Sequence, residues 1–353
     1  MKALVLAGGR GTRLRPITHT SAKQLIPVAN KPILYYGLES IARAGIREVG
    51  IVVGSTAGEI REAVGDGSAW GLEVTYLEQD APRGLAHAVL VARDFLGDDD
   101  FVMYLGDNVL LEGLERFVAE FGRHRPNAQI FLAAVPEPER FGVAVLEGNR
   151  VVRLVEKPSQ RISDLALVGV YLFDRTVHEA VASVAPSERG ELEITDSIQH
   201  LIDTGRTVRA EMVEGWWKDT GRLEDLLEAN RMMLSVVRGA VRGQVDDGTT
   251  VEGPVVVEAG AKVSRSVLRG PAVIGPDTIV EGSTIGPDAS VYFGCTVVDS
   301  EIADSIVMER CRVEGVHMLA GSLLGKDVEV RGRPEVPARF RVMLGDQSQI
   351  DVR

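Results

Sequence analysis

Near its start the chain packs Gly8, Gly9, Gly11, Arg10, Arg13 and Arg15 into eight residues of "LAGGRGTRLRPIT". A glycine-rich turn after a strand leaves backbone N–H groups facing an anion. An arginine adds a planar fork of donors that matches phosphate oxygens. Neither of the two common nucleotide loops is present. No Gly-Lys-Ser/Thr follows, and the third glycine of the dinucleotide fingerprint, counted from Gly9, is replaced by Leu14. Alone, the stretch reads as an anion cradle or as a tight surface turn. Arg13 is the arginine expected on phosphate, and Arg10 and Arg15 stay open. Lys23, in "SAKQLIPVANKP", either reaches the same anion or is solvated.

Two carboxylates stand out further along. Asp107 closes "FVMYLGDN", just past an apolar run, and Asp219 sits in "GWWKDTG". A pair on neighbouring strand ends suits Mg2+, which takes one or two carboxylates together with substrate phosphates and water. Each alone also reads as a turn-forming aspartate. "VEKP" supplies Glu156, an acceptor for sugar hydroxyls, and Lys157, a partner for phosphate; the two also read as a surface ion pair of little energetic weight. Together these groups fit metal-assisted transfer of a phosphorus group, in which the protein positions and neutralises rather than reacts covalently. The six histidines never fall at i, i+4, Cys295 and Cys311 have no metal spacing, and no Ser-His-Asp or Cys-His arrangement is evident.

The elements that must hold these groups fall into two parts. Apolar runs at Ala3–Ala7, Val49–Val53, Val74–Leu77, Phe101–Leu105 and Ile130–Val135 read as strands. They alternate with helices expected over Lys31–Ala44, Leu85–Phe95 and Leu114–Phe121. That rhythm predicts a Rossmann-like α/β domain with a mixed, mainly parallel sheet, whose ligands bind beyond the carboxyl ends of the strands. A hairpin is expected over Val143–Val155, turning at Gly148-Asn149, then strands at Leu167–Phe173 and Val208–Val213. A helix running from Leu223 to Val237 leads out. Beyond it Val255, Ala261, Val267, Val273, Ile279, Ile285, Val291, Val297 and Ala303 stand six apart and are all apolar. "IGPD" recurs at 274 and 285, eleven residues apart, so the frame slips once. This is the pattern of a hexapeptide parallel β-helix; it fades after 304. The expected division is 1–240 and 241–353.

Composition narrows the class. The chain has 353 residues, 45% of them hydrophobic, and a net charge of −12 with scattered basic residues, which argues against nucleic acid as a partner. No apolar run approaches a membrane span or a signal peptide, and two cysteines suit a reducing, cytoplasmic setting.

In their order, "LAGGRGTRLRPIT", "KQLIPVANKP", "LGDN", "EKP", "RGELEITD" and "WWKDTG" resemble the sugar-1-phosphate nucleotidylyltransferases. Within that family the likeness is to the thymidylyltransferases of long form, which end in a left-handed β-helix. The resemblance implies that dTTP and glucose 1-phosphate give dTDP-glucose and pyrophosphate by a Mg2+-dependent single displacement, at the head of dTDP-deoxysugar synthesis. It implies that Leu6, Gly8, Gly11, Thr12, Arg13 and Asp107 bind the nucleotide, with Gly8, Gly11 and Arg13 on the triphosphate and Lys23 helping to neutralise it. Gln79 and Gly84 would read the pyrimidine edge, and Asp107 and Asp219 would bind Mg2+. Gly142, Glu156, Lys157, Tyr171 and Arg189 would form the glucose-phosphate pocket. A homo-oligomer is expected. Lys218 beside Asp219 departs from the short forms, where an apolar residue is usual; it either adds a phosphate contact or faces solvent. Three rival readings remain: a uridylyltransferase on the same fold, since a glutamine reads the edge shared by uracil and thymine; a non-catalytic regulatory subunit; and an acyltransferase β-helix, for which only His317 offers a base.

Overall fold

The computed structural model describes residues 1–9, 11–19, 21–148, 150–332, 339–340 and 342–351. The chain divides into two compact units, Met1–Arg10 with Leu34–Asp219, and Gly11–Ile33 with Thr220–Arg353.

In the first unit the strands are β1 (Lys2–Leu6), β2 (Glu48–Val53), β3 (Glu73–Glu78), β4 (Phe101–Leu105), β5 (Asn108–Leu110), β6 (Ala128–Ala134), β7 (Gly142–Glu147), β8 (Arg150–Glu156), β9 (Leu165–Phe173), β10 (Val208–Met212) and β11 (Trp217–Asp219). All but β5 and β11 join one nine-stranded mixed sheet in the order β3-β2-β1-β4-β9-β6-β10-β8-β7, with β9 also meeting β7. The pairs among β3, β2, β1 and β4 are parallel, as is β6 with β10; β9 runs antiparallel to both β4 and β6. β1 is central. Its Ala3, Leu4 and Val5 are fully buried, as a strand covered on both faces requires. Leu4, Phe101, Met103, Ile130, Leu132 and Phe173 form one core with apolar faces of the helices Leu85–Val91 and Ile194–Asp203.

Some expectations shift by a few residues. The first long helix is Ile33–Arg43, because Lys31–Pro32 pairs with Pro27–Val28 as a short hairpin. The next expected helix breaks at Ala92 into Leu85–Val91 and Arg93–Leu96. The hairpin β7–β8 forms, with Gly148 at φ +60°; Asn149 lies outside the described residues. The β5–β11 ribbon was not expected; three-residue strands carry too little periodicity to be seen in sequence.

The second unit contains the helix Leu223–Ser235 and three parallel sheets of seven, seven and six strands, wound as a three-sided β-helix consistent with the left-handed form. The strict six-residue register needs correction. Val255 pairs with Ala272 and Ala272 with Ala289, so these coils take seventeen residues, one short of three hexapeptides. Inward positions step six, six, five. Val257, Val263, Leu268, Ile274, Val280, Ile285, Val291, Val297 and Ile302 are all buried, whereas Ile279 is 43% exposed and Val267 and Ala303 only half-buried. After 304 buried residues still line the core at Val307, Val313, Leu319, Leu324 and Val330, but the period does weaken: Ser290 pairs with Ile306 across a sixteen-residue coil and Leu323 with Met343 across one of twenty. Asp277, Asp288, Asp299, Asp304 and Asp327 occupy corners at φ +46 to +61°, a conformation that aspartate tolerates better than most residues. Buried corner groups satisfy one another from coil to coil. Ser283 N–H donates to Ser266 Oγ and Ser300 N–H to Ser283 Oγ, both at 3.1 Å. Cys295 and Cys311 are free thiols on another corner and donate to the carbonyls of Met308 and Gly325.

Candidate active site

The strand order turns away in opposite senses on the two sides of β1, the kind of switch point where open α/β sheets bind ligands. Ala7 N–H bonds Val52 O at 2.8 Å and Gly106 N–H bonds Leu6 O at 3.0 Å. The loops after β1 and β4 therefore leave the sheet side by side, carrying Gly8 and Asp107. Gly8 is packed on Gly54, where an added Cβ would stand 3.0 Å from the Gly8 carbonyl. Gln79 follows β3, with its N–H on Val53 O. Its Oε1 faces Gly8, while its Nε2 donates to Gly84 O at 3.3 Å and lies 2.9 Å from His87 Nδ1. Gly84 has φ +102°, and a Cβ there would meet Leu192 O at 2.3 Å. Only glycine fits, because both the backbone angle and the close approach exclude a side chain. Gly84 thereby seats the Gln79 loop against the segment that carries Arg189.

The two aspartates come together through the unexpected ribbon. β11 pairs antiparallel with β5 so that Asp219 faces Asn108, one residue from Asp107. Asn108 organises this end. It is 2% exposed, donates from Nδ2 to Asp107 Oδ1 at 3.1 Å and accepts from Trp217 Nε1 at 2.6 Å. Tyr104 donates to the Asn108 carbonyl at 3.0 Å, and its phenol is pushed far up in pKa by burial and then by Asp107. Gly169 makes room, since a Cβ would meet the Asn108 amide at 2.6 Å. Among the described residues no group of three or more His, Cys, Asp or Glu is arranged to hold a metal. Two adjacent carboxylates fit a hard cation that draws its other oxygens from phosphate and water.

A second cluster adjoins the first. Phe141 packs edge-on against Trp217 with centroids 5.6 Å apart, and its carbonyl accepts from Lys157 N–H at 3.0 Å. Gly142 follows; a Cβ there would meet Thr195 Cγ2 at 2.6 Å and Glu156 Oε2 at 2.9 Å. Glu156 Oε1 lies 3.3 Å from Arg189 Nη1 and 3.5 Å from Lys157 Nζ, and its Oε2 accepts from Thr195 Oγ1. Arg189 is further held by Glu191 and by buried Glu193, which also accepts from Ser187 Oγ. Burial pushes the Glu193 carboxyl up, and burial pushes the Tyr171 phenol far up, with Glu156 adding to both. Lys157 has φ +40° immediately before Pro158, a strained conformation for a residue preceding proline. Gly142, Glu156, Lys157, Tyr171 and Arg189 thus share one acidic and basic patch.

The remaining expected residues, Gly11, Thr12, Arg13 and Lys23, belong to the second unit. Gly11, at φ +59°, opens the turn Thr12–Leu14, and its carbonyl accepts from Thr18 Oγ1 at 2.7 Å. A Cβ on Gly11 would meet Lys23 Cβ at 3.1 Å. The Arg13 guanidinium lies on the backbone of Gly221, where a Cβ would meet Nη2 at 3.0 Å. The glycine turn and Lys23 are therefore neighbours. Arg10 lies outside the described residues. Sequence reasoning missed Asn108, Thr195 and Glu193, although all three stand inside the quoted motifs "LGDN" and "RGELEITD". Their signal is the motif itself; their burial and partners are tertiary.

A nucleotidyl transferase family model matches residues 2–236. A glucose-1-phosphate thymidylyltransferase of Streptomyces griseus is 55% identical over 353 residues, covering 100% of this chain and 99% of that one. One of Streptomyces antibioticus is 53% identical over 356 residues, covering 100% of both. A solved Bacillus anthracis structure, assigned as a glucose-1-phosphate thymidylyltransferase in complex with a sucrose, is 35% identical with a TM-score of 0.64. The match covers 68% of this chain and 98% of that one.

Proposed function

The chain belongs to the nucleotidyl transferase family, a generally metal-dependent family, and from that premise we propose that it is a glucose-1-phosphate thymidylyltransferase. The observation that carries the assignment is full-length identity of 55% to the Streptomyces griseus enzyme of that name, β-helix included. The paired aspartates beside a mixed basic and acidic patch support the same reading.

In the proposed reaction a phosphate oxygen of glucose 1-phosphate attacks the α-phosphorus of dTTP. The new P–O bond forms as the α–β bridge breaks, and pyrophosphate leaves. Arg13 and Lys23, with the backbone of Leu6, Gly8, Gly11 and Thr12, hold the triphosphate. Gln79 reads the pyrimidine, and Gly84 keeps that loop close. Lys157 and Arg189 bind the sugar phosphate, Glu156 accepts from sugar hydroxyls, and Gly142 and Tyr171 shape the pocket. Asp107 and Asp219 would hold Mg2+, which when bound neutralises phosphate charge. Two polyanions repel by several kcal/mol at close range even at intermediate dielectric, so each cation carries weight. Residues 1–240 form the nucleotidyltransferase domain and 241–353 the β-helix domain in this reading, in a cytoplasmic homo-oligomer. No helix among the described residues is long and apolar enough to cross a membrane.

Pyrophosphate release across a panel of dTTP, UTP and sugar 1-phosphates tests the assignment. The highest kcat/KM is expected for dTTP with glucose 1-phosphate. A preference for UTP overturns the choice of nucleotide, and no release with any pair overturns the activity.

A further inference from the structure

The loop that carries Lys23 is tied down on both sides of that residue, within the second unit. On one side Ser21 Oγ donates to Asp346 Oδ2 at 3.4 Å, and Asp346 Oδ1 accepts from Lys326 N–H at 2.9 Å. On the other side the hairpin Pro27–Val28 and Lys31–Pro32 turns through Ala29 at φ +48° and Asn30 at φ +59°. Two left-handed residues make a tight hairpin turn, but alanine is poorly suited to the first of them. Something outside the turn must hold it.

Asn230 does so. It is 1% exposed, on the buried face of the helix Leu223–Ser235. Its Oδ1 accepts from Ala29 N–H at 2.8 Å and from Ser290 Oγ at 2.5 Å, and its Nδ2 donates to Asp288 O at 3.2 Å. Asn30 Nδ2 adds a bond to Val291 O at 2.7 Å. Leu234, Val256 and Val273 close apolar contacts around Ala29. One buried amide therefore joins the turn to a β-helix coil, and each of its bonds is costly to leave unmade.

We propose that Asn230 is a positioning residue and that the β-helix serves the reaction by holding the Lys23 loop in its working conformation. The proposal rests on the reading above in which Lys23 binds the nucleotide phosphates. Asn230 touches no substrate in this scheme; it acts through the turn.

Asn230→Ala and Asn230→Asp separate this from a merely structural role. Hydrogen exchange of amides 21–33 reports on the loop without reference to activity. Steady-state KM for each substrate reports on the site. In Asn230→Ala, Ala29 and its neighbours should exchange at least about tenfold faster, with KM for dTTP raised about tenfold and KM for glucose 1-phosphate within about twofold of wild type. Asn230→Asp keeps the acceptor for Ala29 N–H but sets a buried carboxylate oxygen where Nδ2 donated to Asp288 O, so it should recover both effects only in part. Asn30→Gly retains the left-handed turn and loses only the bond to Val291; it gives a weaker version of the same split if Asn230→Ala does not fold. Unchanged exchange overturns the buttress. Faster exchange with equal KM changes for both substrates overturns the catalytic part. A wild-type protein inactive with dTTP removes the nucleotide reading, while the exchange comparison still decides whether Asn230 holds the loop.

Discussion

The α/β unit and the β-helix use aspartate in opposite ways. Asp107 and Asp219 stand at strand ends, brought within one residue of register by the β5–β11 ribbon, with Asp107 oriented by Asn108. Asp277, Asp288 and Asp327 stand at coil corners, where their value is a left-handed backbone. Residue type alone does not separate the two roles; position does. In the open sheet, adjacent carboxyl ends collect unlike side chains from distant parts of the chain. In the β-helix each coil repeats its neighbour, so like meets like and the result is packing.

The largest expected effect comes from breaking the first role. Asp107→Asn or Asp219→Asn should lower kcat by about 100-fold or more, with the melting temperature nearly unchanged. Asp277→Asn, at a corner, should leave both as they are. Wild-type turnover by either site variant would remove the metal assignment. Next is Gly84→Ala, which should cost about 2 kcal/mol or more from strain alone, and more from the clash with Leu192; urea unfolding reads it. Lys157→Ala should raise KM for glucose 1-phosphate about tenfold if, as proposed, it makes a charge-assisted bond to that phosphate; a selective effect on dTTP instead would contradict its placement.

Within the β-helix the seventeen-residue coil makes adjacent residues unequal. Val280→Ala should destabilise by about 2 kcal/mol through a cavity. Ile279→Ala should stay within about 0.5 kcal/mol as a surface change. A larger loss at Ile279 than at Val280 would restore the six-residue frame. The smallest effect is expected for Arg310→Ala at the exposed Arg310–Asp327 pair, whose bonds are 2.6 and 2.9 Å; such pairs contribute about 0–1 kcal/mol. Arg310 holds the Asp327 carboxyl below its usual range. The contribution is therefore present above the unfolded carboxylate pKa and is lost as pH falls through the lowered folded value. A melt series from pH 6 to pH 3 on wild type and Arg310→Ala would show the two curves converging.

The sequence by itself determined the two architectures, because apolar periodicity is local and survives without coordinates. It also singled out the residues proposed to bind phosphate, cation and sugar, since such proposals rest on side-chain chemistry set in short motifs. It misplaced the β-helix register because a coil one residue short of three hexapeptides agrees with a strict period over any brief window. Tertiary structure alone decided which groups meet. The short β5–β11 ribbon brings Asp219 beside Asp107, Phe141 against Trp217 joins that pair to the Glu156 and Lys157 patch, and Asn230 ties the Ala29 turn to the β-helix. Each is a contact between residues far apart in the chain, fixed by strand order and burial, and a linear pattern holds no record of either.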